Sequence, residues 1–347
     1  MQIIVHDLKD FLALRLKKNA VLLDVRSSLE HHKAHIPGAL SLPLMDNEHR
    51  VIIGTTYKQV GREAAVLKGF ELIGPLFHEK ISKASELAPE KEVFLYCWRG
   101  GMRSNIMAWV LQMAGFKVHL LKGGYKSFRH WTLAQLELPF NTIVLGGKTG
   151  SGKTEMLYLL KKEGEQIIDL EDLANHRGSA YGHLGKPDQP SQEQFENLIG
   201  WELANLNLTE RIWLENESRA IGKVNLPNAI FNQIRNSVQV EMNTVDSVRQ
   251  DRILKEYGVF SIEELKERTE RIGKRLGGQH LKAAIEFLDR ADMYGWLSIV
   301  LYYYDKTYSH GNDERVEGSI ETVSITWNEP EVEVRKLINA ANKVSAK

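Results

Sequence analysis

Thr142-Ile143-Val144-Leu145-Gly146-Gly147-Lys148-Thr149-Gly150-Ser151-Gly152-Lys153-Thr154 reads as a strand running into a glycine loop. Glu155-Met156-Leu157-Tyr158-Leu159-Leu160-Lys161-Lys162 then continues as a helix. Residues 147–154 satisfy G-x-x-x-x-G-K-[ST] in full, and strand, loop and helix occur in the order that motif needs. The loop amides can cradle phosphate oxygens, Lys153 adds a point charge, and the Thr154 hydroxyl could ligate Mg²⁺. Gly147, Lys148, Thr149, Gly150, Ser151, Gly152, Lys153 and Thr154 are thus a diphosphate-binding candidate. Such a loop recognises a diphosphate and does not by itself require a nucleotide.

Working outward toward the C-terminus, strands are expected at residues 166–170, 211–215, 238–241 and 299–303, which makes this a doubly wound α/β domain. Asp169, Glu171, Glu215 and Glu217 lie at or past strand ends and could serve Mg²⁺. None has the apolar-run-then-Asp form of a nucleotide-hydrolysing site, and exposed carboxylates at strand ends are common. Each taken alone reads as an ordinary acid, and no metal-ligand set is assigned. The loops around His176-Arg177 and Arg219 carry cations and, in the first, an aromatic ring able to touch a phosphate or a base. They read equally well as plain connections. From Val248 to about Arg290 the pattern is helical and charge-rich, with Arg271 and Arg275 among its cations and Glu267–Arg271 available as an i,i+4 pair. That stretch is either a solvated, salt-bridged helix pair or a basic lid over the glycine loop.

Toward the N-terminus, Tyr96-Cys97-Trp98-Arg99-Gly100-Gly101-Met102-Arg103-Ser104 holds the only cysteine in the chain. Glu92–Tyr96 reads as a buried strand and Asn105–Leu111 as a helix. A thiol at the C-terminal end of a strand, followed by two glycines and a helix start, faces backbone N–H groups and the positive end of the helix dipole. With Arg99 and Arg103 nearby, such an environment favours the thiolate, the nucleophilic form. Asp24 and Gly123 also fall at strand ends, where sites lie in parallel sheets. His31, His32 and His35 invite a metal reading, but Pro37-Gly38 ends any helix they share and no ligand set is completed.

The chain has 347 residues, too many for one ordinary core, so two domains are expected, 1–137 and 138–347. Forty-five basic and 45 acidic residues cancel, so a nucleic-acid partner must be held by a local basic patch. No apolar run is long enough to span a membrane, and Met1–Asp7 lacks the features of a signal peptide. A single cysteine forms no internal disulfide, which fits a reducing cytoplasm.

Asp24-Val25-Arg26, His35-Ile36-Pro37-Gly38-Ala39, the Cys97 loop and Lys122-Gly123-Gly124 together resemble the rhodanese family. The resemblance implies that Cys97 accepts sulfur or selenium. Five residues separate Cys97 from Arg103, one more than in common sulfurtransferase members and similar to rhodanese-related phosphatases. A wider ring of N–H groups suits a tetrahedral oxyanion, with Arg99, Gly100, Gly101, Met102, Arg103 and Ser104 as its binding residues. A rhodanese-like domain followed by a P-loop NTPase-like domain with a helical insertion resembles the bacterial tRNA 2-selenouridine synthase family. The residues that carry this are the Cys97 and Gly147–Thr154 loops, His176-Arg177-Gly178-Ser179 and Arg275-Leu276-Gly277-Gly278-Gln279-His280. The resemblance implies exchange of sulfur for selenium in the wobble 2-thiouridine of tRNA. Selenophosphate is then the selenium donor and geranyl diphosphate the alkylating co-substrate, with no tightly bound cofactor. It also implies tRNA contacts by residues such as His176, Arg177, Arg219, Arg271 and Arg275, and an enzyme elsewhere that supplies selenophosphate. Two competitors stand beside it: a sulfurtransferase or phosphatase fused to an ATP-dependent kinase-like domain, and a non-catalytic nucleotide-sensing RNA binder.

Overall fold

A computed structural model describes residues 3–313 and 319–345. They form two compact units, one of residues 1–135 with 196–201, the other of residues 136–195 with 202–347. Among the described residues no helix is long and apolar enough to cross a membrane.

The first unit is built on five parallel strands: β1 (Ile3–His6), β2 (Val21–Asp24), β3 (Ala39–Ser41), β4 (Glu92–Tyr96) and β5 (Lys117–Leu121), in the order β1-β5-β4-β2-β3. Residues of β4 alternate between two cores. Val93 and Leu95 join Leu23, Met107 and Leu111 on one face, and Phe94 and Tyr96 join Phe11, Tyr125 and Phe128 on the other. Burial on both faces explains why this strand reads as an unbroken apolar run. β4 is central, and Cys97 follows directly at its carboxyl end.

The second unit carries β6 (Asn141–Gly147), β7 (Gln166–Ile168), β8 (Arg211–Glu215), a short antiparallel pair β9 (Ala220–Ile221) and β10 (Val224–Asn225), β11 (Gln239–Thr244) and β12 (Ile320–Ile325). Its main sheet is parallel, in the order β12-β11-β6-β8-β7. The chain winds from β6 first to one side and then to the other. The glycine loop therefore leaves the sheet at its topological switch point, where parallel sheets open a crevice. Met156, Leu157 and Leu160 of the helix Lys153–Lys162 pack on one face with Leu337 and Ala341 of the helix Pro330–Ser345.

Residues 299–303 are not a strand. They lie inside the helix Met293–Asp313. Trp296, Leu297, Val300 and Leu301 are buried at helical spacing, and a short apolar run does not by itself separate that pattern from a strand. The strand completing the sheet is instead β12, whose mixed Ile-Glu-Thr-Val-Ser-Ile sequence suits an edge. The charge-rich stretch from Val248 onward is more than a solvated helix pair. Helices Asp246–Tyr257, Ile262–Arg271, Gly278–Asp289 and Met293–Asp313 share a core of Ile253, Leu265, Leu276, Leu288 and Trp296.

Candidate active site

In the first unit Cys97 is 3% exposed. Its Sγ lies 3.2 Å from the Ser104 Oγ, which itself donates to the Gly101 carbonyl at 3.0 Å. The loop wraps onto the helix Met102–Met113 with Gly101 as its N-cap, and no side chain caps that end. The amides of Arg99, Gly100 and Gly101 donate to no backbone carbonyl among the described residues, so they are available to an anion.

A second glycine turn supports the loop from beneath. Tyr125 and Lys126 donate backbone N–H bonds to the carbonyls of Cys97 (2.8 Å) and Trp98 (3.0 Å). Gly124, at φ +59°, lies so close that a Cβ would overlap the Cys97 carbonyl oxygen. The Tyr125 hydroxyl is bonded by Asn197 Nδ2 at 2.8 Å; nothing in the sequence assigns Asn197 to this unit.

Several residues singled out from the sequence hold the loop in place and do not line it. Arg103 donates to Glu30 at 2.7 Å. Burial would raise the Glu30 carboxyl, but Arg103 outweighs it and holds the group below its ordinary range. Asp24 is fully buried, accepting from Arg26 (2.6 Å) and from the Tyr96 hydroxyl (3.0 Å). Arg26 stacks over Tyr125 at 4.0 Å and donates to the Ala34 carbonyl. His31 and His35 stack at 4.1 Å, and their ring nitrogens meet the carbonyls of Ala39 and His31. Arg99 is exposed beside the thiol loop.

In the second unit the glycine loop frames a cavity of about 880 Å³. Lys153 Nζ donates to the Gly147 carbonyl at 2.8 Å. Gly152, at φ +86°, begins the following helix, and a Cβ there would lie 2.7 Å from the Arg252 guanidinium. Arg252 stacks on Trp327 at 3.9 Å, and Trp327 Nε1 donates to the Ser151 carbonyl at 2.9 Å. From the other side Arg249, 1% exposed, donates to the Thr149 carbonyl at 2.9 Å while Asp305 pairs with both Arg249 and Lys148. The helical insertion therefore grips the glycine loop from outside.

Three carboxylates that read singly as ordinary acids converge on this loop, and that reading is corrected here. Thr154 Oγ1 donates to Glu215 at 2.9 Å and lies 3.5 Å from Glu171. Glu171, Glu215 and Glu217 each place an oxygen within 4.8 Å of the others. Glu215 is fully buried and its Oε2 has no partner. Burial first, and then mutual repulsion, raises all three carboxyls, Glu217 to about 7, with Lys153 opposing the shift. An all-oxygen set with an orphaned buried oxygen beside a threonine hydroxyl fits a hard divalent cation. The signal was present in the sequence: Ile212-Trp213-Leu214 is an apolar run ending in an acid, with Glu in place of Asp.

Of the five basic residues expected to contact substrate, only Arg177 lines this cavity. It is paired with Glu256 and donates to the Leu184 carbonyl at 2.7 Å. His176 is buried behind it. Arg219 bonds Asn228 near the β9–β10 turn. Arg271 forms the expected pair with Glu267 at 2.7 Å, and Arg275 is exposed on the short helix Gly273–Leu276. The cavity is also lined by Tyr257, Tyr304 and Tyr308, none of which the sequence assigns to a site. Tyr308 accepts from the Gly147 N–H at 2.6 Å.

Residues 140–329 match the family model described as the tRNA 2-selenouridine synthase AAA domain, and residues 7–130 match the rhodanese-like domain. A Sulfurovum sp. tRNA 2-selenouridine synthase is 34% identical, covering 91% of this chain and 94% of its own. The Bdellovibrio bacteriovorus protein of that name is 35% identical over 84% of this chain and 89% of its own. The Pseudomonas putida protein of that name is 31% identical over 97% of this chain and 100% of its own. Relatives aligned over both units at this identity leave no ambiguity about descent: the chain belongs to the tRNA 2-selenouridine synthase family.

Proposed function

We propose that this chain is a tRNA-modifying transferase that replaces the sulfur of a 2-thiouridine by selenium, using geranyl diphosphate and selenophosphate as co-substrates. The observation that supports this reading is the presence, on one chain, of two oxyanion cradles of different chemistry. One is centred on the Cys97 thiol and the other on Lys153. Two phosphorylated small molecules and one nucleoside account for both.

The glycine loop binds the diphosphate. The thiocarbonyl sulfur attacks the first carbon of the geranyl group, the carbon–oxygen bond breaks, and diphosphate leaves with that electron pair. Lys153 and the loop amides face the charge that develops on the leaving group, where fixed donors act most strongly. Thr154, Glu171, Glu215 and Glu217 would hold a hard divalent cation, whose contribution when bound is to neutralise a diphosphate. Alkylation turns the sulfur into a good leaving group. Selenium from selenophosphate then takes the place of that sulfur at C2, and geranylthiol departs after taking up a proton. The phosphoryl group left on selenium passes to water. Cys97 serves this second step in displacing geranylthiol: its thiolate adds at C2, the bond to the geranyl sulfur breaks, and selenium then displaces Cys97 from C2, with the amides of residues 99–102 on the phosphate oxygens.

The test is mass spectrometry of nucleosides from tRNA incubated with both co-substrates. Lys153→Ala should lower geranylation by about 10²-fold or more, whereas Cys97→Ala should retain geranylation and lose selenium insertion. Loss of both steps in the Cys97 variant would defeat this division of labour. The contact of Thr154 with Glu215 also favours a second reading, nucleotide hydrolysis in the P-loop unit. Release of phosphate from ATP or GTP without tRNA would support it.

A further inference from the structure

The helix Met102–Met113 that starts at the thiol loop has two faces. Met107, Ala108, Val110 and Leu111 are buried beneath it. On the outer face Met102, Asn105, Ile106 and Trp109 recur at i, i+3, i+4 and i+7, so they form one stripe. Three of these four residues are apolar, yet the stripe is open: Met102 is 47% and Trp109 53% exposed. Against it the helix Arg62–Ile73 sets Phe70, 49% exposed, and Arg62, two turns apart on one face. Between the two helices lies a groove of about 600 Å³ lined by these six residues.

Two features indicate what the groove takes. It adjoins the thiol loop through Met102, which is both the first residue of the helix after Cys97 and part of the groove wall. Its lining also combines two ring faces with a guanidinium and a carboxamide. Stacking surfaces, a phosphate-binding cation and a group able to read a base edge are the elements of single-strand RNA recognition. An aliphatic ligand would be better served by more residues like Ile106 and has no use for Arg62.

We infer that this groove seats the unpaired tRNA nucleotides that neighbour the reacting uridine, with bases stacked on Trp109 and Phe70 and a phosphate on Arg62. The inference rests on the tRNA reading of the preceding subsection. A base taken out of its stack leaves its neighbours without a partner ring, and the two aromatic faces of this groove replace what is lost.

The experiment measures binding of an unmodified tRNA transcript to the full chain, with a duplex RNA as competitor. Phe70→Leu and Trp109→Leu keep the side chains apolar but remove the π faces. Each should weaken binding about tenfold, and together about 100-fold, the range expected for losing one and two stacked bases. Trp109→Phe should stay within about threefold of wild type. In turnover the Leu variants should raise KM for tRNA and leave the rate at saturating tRNA near wild type, with unchanged unfolding temperature. Wild-type affinity in the double Leu variant, or equal competition by duplex RNA, would overturn the assignment. If that double variant instead turned a dimer into a monomer at unchanged RNA affinity, the groove would belong to a second copy of the chain. A wild-type chain that binds no tRNA would sink the functional reading itself, a result distinct from either.

Discussion

Around Cys97 the charges are matched: buried Asp24 meets buried Arg26, and half-buried Glu30 meets Arg103. Around Lys153 they are not, because Glu171, Glu215 and Glu217 face one another with a single lysine and a threonine hydroxyl among them. Both regions use the same device, a glycine loop carrying a parallel strand into a helix, and both expose amides to an anion. The thiol cradle is held in shape by a second glycine turn and by these ion pairs. The lysine cradle gathers three carboxyls whose mutual repulsion protons or a bound cation would relieve. On the proposed reading, the loop for a single oxyanion can be rigid and neutral, whereas a loop receiving and releasing a diphosphate would work with exchangeable countercharge.

The largest expected effect tests the rigidity of the first region. Gly124→Ala combines a left-handed backbone with a Cβ 2.5 Å from the Gly100 nitrogen. It should cost about 2–5 kcal/mol, through backbone strain and overpacking. Unfolding of the first unit should shift accordingly, while binding of Mg²⁺ and diphosphate by the second persists. An equal loss of diphosphate binding would erase the contrast between the regions.

The next test reads the unmatched charge. Folded Glu217 holds its proton to about pH 7, whereas the ordinary value is 4.5, and Glu171 and Glu215 are raised as well. Above the ordinary value the folded chain thus binds more protons than the unfolded one, so stability falls as pH rises through 7. His35, His119 and His176, lowered by burial, act in the opposite sense. The comparison is therefore between wild type and Glu217→Gln. Wild type should lose more unfolding temperature than the variant between about pH 5 and 8, and Mg²⁺ should shrink that difference. Identical slopes would show that the cluster is not proton-linked.

The smallest effect sharpens the matched side. Glu30→Gln weakens one partly exposed pair and should cost about 1 kcal/mol at pH 7. The Glu30 carboxyl is lowered, so its contribution exists above its ordinary value and is lost on acidification. Wild type and variant should converge as pH falls from 4.5 through the lowered folded value, measured by denaturant unfolding. A gap that stays constant into acid would mean that Glu30 acts through packing and not through charge.

Both glycine loops, their flanking strands and helices, and the two-domain order were legible in the chain because each is contiguous: a strand, a turn requiring glycine, and a helix start occupy neighbouring positions. Residues 299–303 were misread because a short apolar run fits two periods, and only packing against Leu265 and Leu288 selects the helical one. Tertiary structure alone decided which acids share a site. Glu171 lies in the short helix after β7, Glu215 ends β8 and Glu217 follows it, and they meet at Thr154 because β8 pairs with β6 and β7 with β8. It also decided that Arg103 serves Glu30, that Asn197 reaches Tyr125, and that Phe70 and Trp109 share a groove. Strand order and helix packing are properties of the whole core, set by which apolar faces cover one another, and no local stretch of residues encodes them.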